Sequence, residues 1–221
     1  MADTIGGGIN EDGSVQNTLV IDDKYADRID IVGLTNAGKT ELAINKPIKD
    51  ITVDLAGDND VAIAGARLVN ANIVNEAPAG KTASLVVEVA KAKKFNFTTT
   101  GEGATELTVA AGKMPKPVIT TAEGDADDVI TFGAGSIVKS AKINTGGGDD
   151  TIVFNGRFKG KTTVTSGEGS DVIEINRVGR GKLRITDFSS DDTLIVDGKS
   201  ITTDNLDDAP KWVKFGLIEP R

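Results

Sequence analysis

The chain contains no cysteine and no histidine, and it has a single tryptophan and a single tyrosine. Without those side chains, zinc centres, thiol nucleophiles, Ser–His triads and histidine bases are excluded. Disulfide stapling is excluded as well, so stability must come from packing, assembly or a hard metal held by oxygen. Long apolar runs are also missing. No stretch approaches the roughly 18 residues of a membrane-spanning helix. The start, Met1-Ala2-Asp3-Thr4, lacks the basic-then-apolar order of a secretory leader. Aromatics make up 4% of the 221 residues, so a core has to be built from Val, Ile, Leu and Ala.

What is abundant is glycine, with 26 residues against about 7% in ordinary proteins, which implies many tight turns. The formal charge is −8. That sign argues against nucleic acid and against an anionic membrane as partners, and it suits a divalent cation.

Four segments share one register: Gly124-Asp-Ala-Asp-Asp-Val-Ile-Thr-Phe132, Gly146-Gly-Gly-Asp-Asp-Thr-Ile-Val-Phe154, Gly167-Glu-Gly-Ser-Asp-Val-Ile-Glu-Ile175 and Ser189-Ser-Asp-Asp-Thr-Leu-Ile-Val196. Each reads as a small-residue turn, an aspartate, and apolar residues two and four positions later. The aspartates, Asp128, Asp150, Asp171 and Asp192, recur every 21 or 22 residues. A period of this length marks a solenoid. The template decays backward through Thr105-Glu-Leu107-Thr-Val109, Leu85-Val-Val87 and Asn59-Asp-Val61-Ala-Ile63, with Leu42-Ala-Ile44 and Leu19-Val-Ile21 at the start.

Strict alternation within each repeat predicts strands, with Ile130/Phe132, Ile152/Phe154, Ile173/Ile175 and Leu194/Val196 facing inward. A second apolar column precedes each turn at Ile119, Ile143, Val164 and Ile185. A looser third one falls at Met114, Ile137, Phe158 and Val178. The expected fold is all-β: a parallel β-solenoid of the β-helix or β-roll kind, with about 21–22 residues per rung and few helices. It is expected over residues 17–200, with acidic turns over 120–200. A flexible or partner-bound arm is expected over 1–16. A C-terminal cap built on Trp212 is expected over 201–221.

The turns Gly146-Gly-Gly-Asp-Asp150-Thr-Ile152 and Gly167-Glu-Gly-Ser-Asp171-Val-Ile173 resemble the G-G-x-G-x-D-x-U-x repeat of RTX (hemolysin-type) calcium-binding proteins. Arg184-Ile-Thr-Asp-Phe188-Ser-Ser-Asp-Asp-Thr-Leu194 is similar to the segment that closes such arrays. The resemblance covers about residues 120–200 and implies calcium held in the turns. Two features depart from the family: the period is not two nonapeptides, and only one turn per rung is acidic. The opposite turns, Gly156–Lys161 and Gly179–Lys182, are basic.

A physical argument runs beside the resemblance. Stacked carboxylates at Asp128, Asp150, Asp171 and Asp192 repel and raise one another's pKa. A hard cation relieves that, with backbone carbonyls of open glycine turns completing its oxygen shell. The candidate ligands are these four aspartates with Asp125, Asp149, Gly146, Gly148, Gly167 and Gly169. The competing reading makes the aspartates plain turn formers that bond the backbone two residues on.

Other motifs carry less. Gly33-Leu-Thr-Asn-Ala-Gly38-Lys39-Thr40 satisfies the P-loop pattern, but Pro47 arrives too soon for the helix that a phosphate site needs. Thr100, Thr121, Thr145, Thr165 and Thr186 gather before the acidic turns, as β-branched residues do in strands. Paired carboxylates also suit a glycosidase or lyase. With one Trp and with Tyr25 as the one Tyr, a sugar-stacking cleft is poorly supplied. The reading is therefore a non-catalytic structural protein, a calcium-stabilised subunit of an extracellular or virion-surface assembly that is reached without a Sec-type leader. Its expected partners are proteins or copies of itself, with carbohydrate as a further class. The alternative is a calcium-dependent carbohydrate-active enzyme or carbohydrate-binding module.

Overall fold

The structure, a computed structural model, describes residues 4–9, 15–21, 28–34, 38–44, 48–56, 59–65, 67–121, 124–176 and 179–217, with side chains from residue 61 onward. The alternating apolar segments form strands that coil into a parallel β-solenoid. One eleven-stranded sheet carries the strands that follow the acidic turns, among them Ala104–Ala111, Val129–Phe132, Thr151–Phe154, Val172–Ile175 and Thr193–Val196. The second sheet carries the return strands, among them Leu68–Glu76, Ala92–Thr100, Val118–Thr120, Lys142–Asn144, Arg157–Thr165, Gly181–Phe188 and Val213–Leu217.

The register follows the sequence period. Leu107 pairs with Ile130, Ile130 with Ile152, Ile152 with Ile173, and Ile173 with Leu194. Backward, Val61 pairs with Leu85 and Leu85 with Leu107. Leu42 pairs with Ile63, whereas the template alone would set it beside Val61. A slip of two residues keeps the same side chains on the same face, so it is tolerated where a slip of one is not.

Burial obeys the alternation. Ile130, Phe132, Ile152, Phe154, Ile173, Ile175, Leu194 and Val196 are all buried, as are Ile119, Ile143, Val164 and Ile185 on the return strands. In the third column the inward residue is Val138 and not Ile137. Val138 pairs with Met114 on one side and Phe158 on the other, and Ile137 is half-buried. The two neighbours differ by one position, and the outward Lys139, aligned with Lys159, is what sets Val138 inward. Val178 lies outside the described residues. The third face is short: Met114–Pro115 and Ile137–Lys139 are separate strands, and Arg157–Thr165 runs through the bend as one.

Aromatic contacts thread the C-terminal half of the core. Phe132 and Phe154 stack at 4.8 Å, Phe154 meets Phe158 at 5.8 Å, and Phe158 meets Trp212 at 5.4 Å. Phe188 and Phe215 lie 4.8 Å apart. In the segment expected as a cap, Thr203–Asp208 form a short 3-10 helix and Val213–Leu217 extends the second sheet beside Gly181–Phe188.

At both edges of the first sheet the chain reverses direction. Lys199–Ile201 folds back antiparallel on Thr193–Val196 through Asp197-Gly198, both with positive φ, as a two-residue hairpin turn requires. At the other edge Thr4–Ile9, inside the segment expected as an arm, pairs antiparallel with Val15–Ile21. Among the described residues no helix is long and apolar enough to cross a membrane.

Candidate functional site: a buried aspartate column

Each repeat aspartate stands between its turn, which contains glycine in the first three cases and is Ser189-Ser190 in the fourth, and a strand of the first sheet. Because those strands pair in register, Val129 with Thr151, Thr151 with Val172 and Val172 with Thr193, the preceding residues stack. Asp128, Asp150, Asp171 and Asp192 are 2%, 1%, 1% and 1% exposed. Four carboxyl groups thus line up inside one corner of the solenoid.

Their hydrogen bonds run from rung to rung. The backbone N–H of Thr105 donates to Asp128 Oδ1 at 2.6 Å, that of Asp128 to Asp150 Oδ1 at 2.8 Å, that of Asp150 to Asp171 Oδ1 at 2.9 Å, and that of Asp171 to Asp192 Oδ1 at 3.0 Å. Each aspartate therefore satisfies a buried donor one rung back, and the plain turn reading, with its bond two residues on, does not describe these side chains. At the end of the column Asp192 also accepts the Ser189 N–H through Oδ2, at 2.7 Å. Where the aspartate is replaced by Thr105, its hydroxyl meets that of Thr99 at 2.9 Å, a neutral version of the same corner.

Burial makes these carboxyls reluctant to ionise. Loss of water raises Asp150 from 3.8 to about 7, against the opposing contacts of the Thr145 hydroxyl and the Asp128 N–H and with help from the neighbouring charges of Asp128 and Asp171. The same cause takes Asp128 and Asp171 to about 6 each. Asp187 is also raised by burial, although it accepts the N–H groups of Ser166 and Gly167 at 3.2 and 2.8 Å. A buried polar atom without a partner costs about 1–3 kcal/mol, and three such oxygens share this corner: Asp150 Oδ2, Asp171 Oδ2 and Ser166 Oγ.

The glycines make the close stacking feasible. Gly146, Gly148, Gly167 and Gly169 all have positive φ, at 97°, 104°, 103° and 131°. A Cβ on Gly167 would overlap the Gly146 carbonyl, and one on Gly169 would sit 2.1 Å from that of Gly148. Outside the column, exposed carboxylates tie rungs in the opposite direction: Asp127 Oδ1 accepts the Asp149 N–H at 2.8 Å and Asp149 Oδ1 the Ser170 N–H at 2.7 Å. Asp125 is exposed on the same edge.

The donor set fits a hard cation: oxygen atoms only, two of them carboxylate oxygens with no hydrogen bond, beside the Gly146-Gly147-Gly148 turn with only backbone at its crest. Among the described residues, however, no three acidic side chains converge as a ready cage, so backbone carbonyls would have to supply most of the shell. A proton on Oδ2 answers the same electrostatic problem. Both answers follow from one geometry, and they separate by experiment.

Sequence reasoning saw Thr121 and Thr145 only as strand residues and missed that they face the aspartates across the turns, as Ser166 and Ser189 do. Thr121, Thr145, Ser166 and Ser189 are buried, and the Thr145 hydroxyl donates to the Ser166 carbonyl at 3.0 Å. The threonines singled out above do not form one row. Thr121 and Thr145 point inward, while Thr165 and Thr186 are half-exposed and bond each other at 2.7 Å. The P-loop-like segment runs from the strand Arg28–Leu34 into the strand Gly38–Ile44. Lys39 and Thr40 thus lie in a strand and not at a helix N-terminus. Trp212 is half-buried, and its ring lies 5.4 Å from that of Phe158. Tyr25 lies outside the described residues. Compared with known protein families, curated proteins and solved structures, the chain matches none.

Proposed function

We propose that the chain is a non-catalytic structural protein, a calcium-stabilised β-solenoid that serves as a subunit of an extracellular assembly such as a virion appendage or decoration, a surface array or an adhesin. The observation that carries this reading is the sealed aspartate column, in which Asp150 Oδ2 and Asp171 Oδ2 have no hydrogen-bond partner. Supporting it are the continuity of the stack from end to end and the resemblance of the Gly146–Ile152 and Gly167–Ile173 turns to RTX repeats. Calcium between successive turns would neutralise the column and tie rung to rung. Asp128, Asp150, Asp171 and Asp192 would contribute the buried carboxylates. Asp125 and Asp149 would add charge at the rim, and Gly146, Gly148, Gly167 and Gly169 their carbonyls.

Isothermal titration with calcium at pH 8 tests this. Binding of up to three ions per chain is expected, with dissociation constants on the order of 0.1–1 mM, as in extracellular modules. Asp150→Asn and Asp171→Asn should each remove at least one of them. No heat of binding at millimolar calcium, from protein that is folded by circular dichroism, would remove calcium from the reading.

A further inference from the structure

Charge is segregated around each rung. Residues 89–101, 111–121, 133–146, 155–166 and 176–186 contain lysine or arginine and not one aspartate or glutamate. The acids of the same stretch fall at 102–107, 123–128, 149–150 and 168–174. The structure turns this alternation into two strips along the solenoid axis. On the second sheet, Lys139 lies directly opposite Lys159, Lys161 opposite Lys182, and Arg184 opposite Lys214, all exposed. On the turn edge, Glu102, Asp125, Asp127, Asp149, Glu168 and Asp191 are exposed at successive turns.

Like charges directly across a sheet are destabilising, and the basic strip has no carboxylate of its own to relieve it. An ion pair joins Lys199 and Asp208 at 3.2 Å, away from this face. Between the lysines lie open depressions with apolar floors. One of about 290 Å³ is lined by Met114, Pro115 and Ile137 with Lys113, Lys139 and Lys159. Another of about 350 Å³ is lined by Leu183 and Phe215 with Lys161, Lys182, Arg184 and Lys214. Each depression sets its apolar floor within a rim of cations.

We infer that the basic strip docks the acidic turn edge of a second copy of this chain. The charges are complementary, and both strips repeat with the same rung spacing, about 4.8 Å, so two copies with aligned axes meet carboxylate to ammonium at every rung. The surfaces that meet are different on the two copies. The contact is therefore heterologous, and it repeats into a ring or an open row. This rests on the assembly part of the proposed function and does not require calcium: of the exposed acids, Asp125 and Asp149 also border the proposed calcium site, while Glu102, Asp127, Glu168 and Asp191 do not enter it.

The test is sedimentation of the full chain with charge-reversed variants. Variant one carries Lys139→Glu, Lys159→Glu, Lys161→Glu and Lys182→Glu. Variant two carries Glu102→Lys, Glu168→Lys and Asp191→Lys, which spares the carboxylates that hold turn amides. At about 20 mM salt, where surface charges act over roughly 20 Å, the wild-type chain is expected to sediment at twice the monomer mass or more, and to return to monomer near 0.5 M. Each variant alone should stay monomeric at low salt, and an equimolar mixture of the two should associate again. A monomeric wild type at low salt would overturn the inference, while calcium titration still decides the proposed function separately. So would wild-type association that both variants retain, since it would place the interface elsewhere. A wild type that stays monomeric but is retained on a sulfated polysaccharide, with retention lost in variant one, would reassign the face to a polyanion.

Discussion

With EDTA present, the protein should lose stability as pH rises from about 4 to about 7, the reverse of the usual behaviour of paired carboxylates. The sign follows from the column. Asp128, Asp150 and Asp171 titrate at about 6, 7 and 6 in the folded chain against 3.8 for an ordinary aspartate. Between those values the native state binds more protons than the unfolded state, so raising pH favours unfolding. The stabilisation is fully present below about 3.8 and lost by the time pH passes the folded values. A carboxyl moved from 3.8 to about 7 is worth about 4 kcal/mol. The three share protons along one column, so the total is on the order of 5 kcal/mol and not a simple sum. Urea midpoints at pH 4.5, 6 and 8 measure it, with an unchanged slope as the check on two-state unfolding. A flat or rising profile would mean that the column is hydrated or already paired.

The second large effect concerns the hydrogen bonds. Asp150→Ala removes the acceptor of the buried Asp128 N–H and leaves that donor without a partner, which costs about 1–3 kcal/mol. At pH 4.5, where wild-type Asp150 is protonated, Asp150→Ala should therefore be destabilised by about 2 kcal/mol. At pH 8 in EDTA the deficit should shrink or change sign, because the substitution also removes a desolvated charge. Asp150→Asn keeps an oxygen in the Oδ1 position. It should match wild type at pH 4.5 and exceed it at pH 8. Urea unfolding of the three proteins at the two pH values checks this. Equal losses for Ala and Asn at both pH values would show that the charge is irrelevant and only shape matters.

The solenoid was legible because its period is written in chemically distinct residues. Asp at intervals of 21 or 22, glycine before it and Ile or Leu two positions after it fix register as well as fold. The Asp197-Gly198 hairpin was equally available in the sequence, as a turn dipeptide followed by Lys-Ser-Ile, yet the repeat template hid it. Ile137 and Val138 were separable by the charge beside them, since Lys139 follows Val138 as Lys159 follows Phe158, but two adjacent β-branched residues masked that signal. For the site, the positions were readable and the bonding was not. An acceptor that reaches one rung back pairs residues 21 to 23 apart, and no local turn pattern announces such a bond. The role of Thr121, Thr145, Ser166 and Ser189 was hidden for a related reason: a hydroxyl at the mouth of a turn is unremarkable until the next rung covers it.

Whether the column is closed by metal or by protons is decided most directly by thermal unfolding at pH 8, in excess EDTA and then in about 10 mM calcium, roughly ten times the dissociation constant of such modules. Binding at two or three sites should raise the melting temperature by about 10 °C, and the rise should be largely absent in the Asp150→Asn, Asp171→Asn double variant. Identical melts in EDTA and calcium, with the decline between pH 4.5 and pH 8 still present, would contradict the calcium account and leave an aspartate column held together by its own protons.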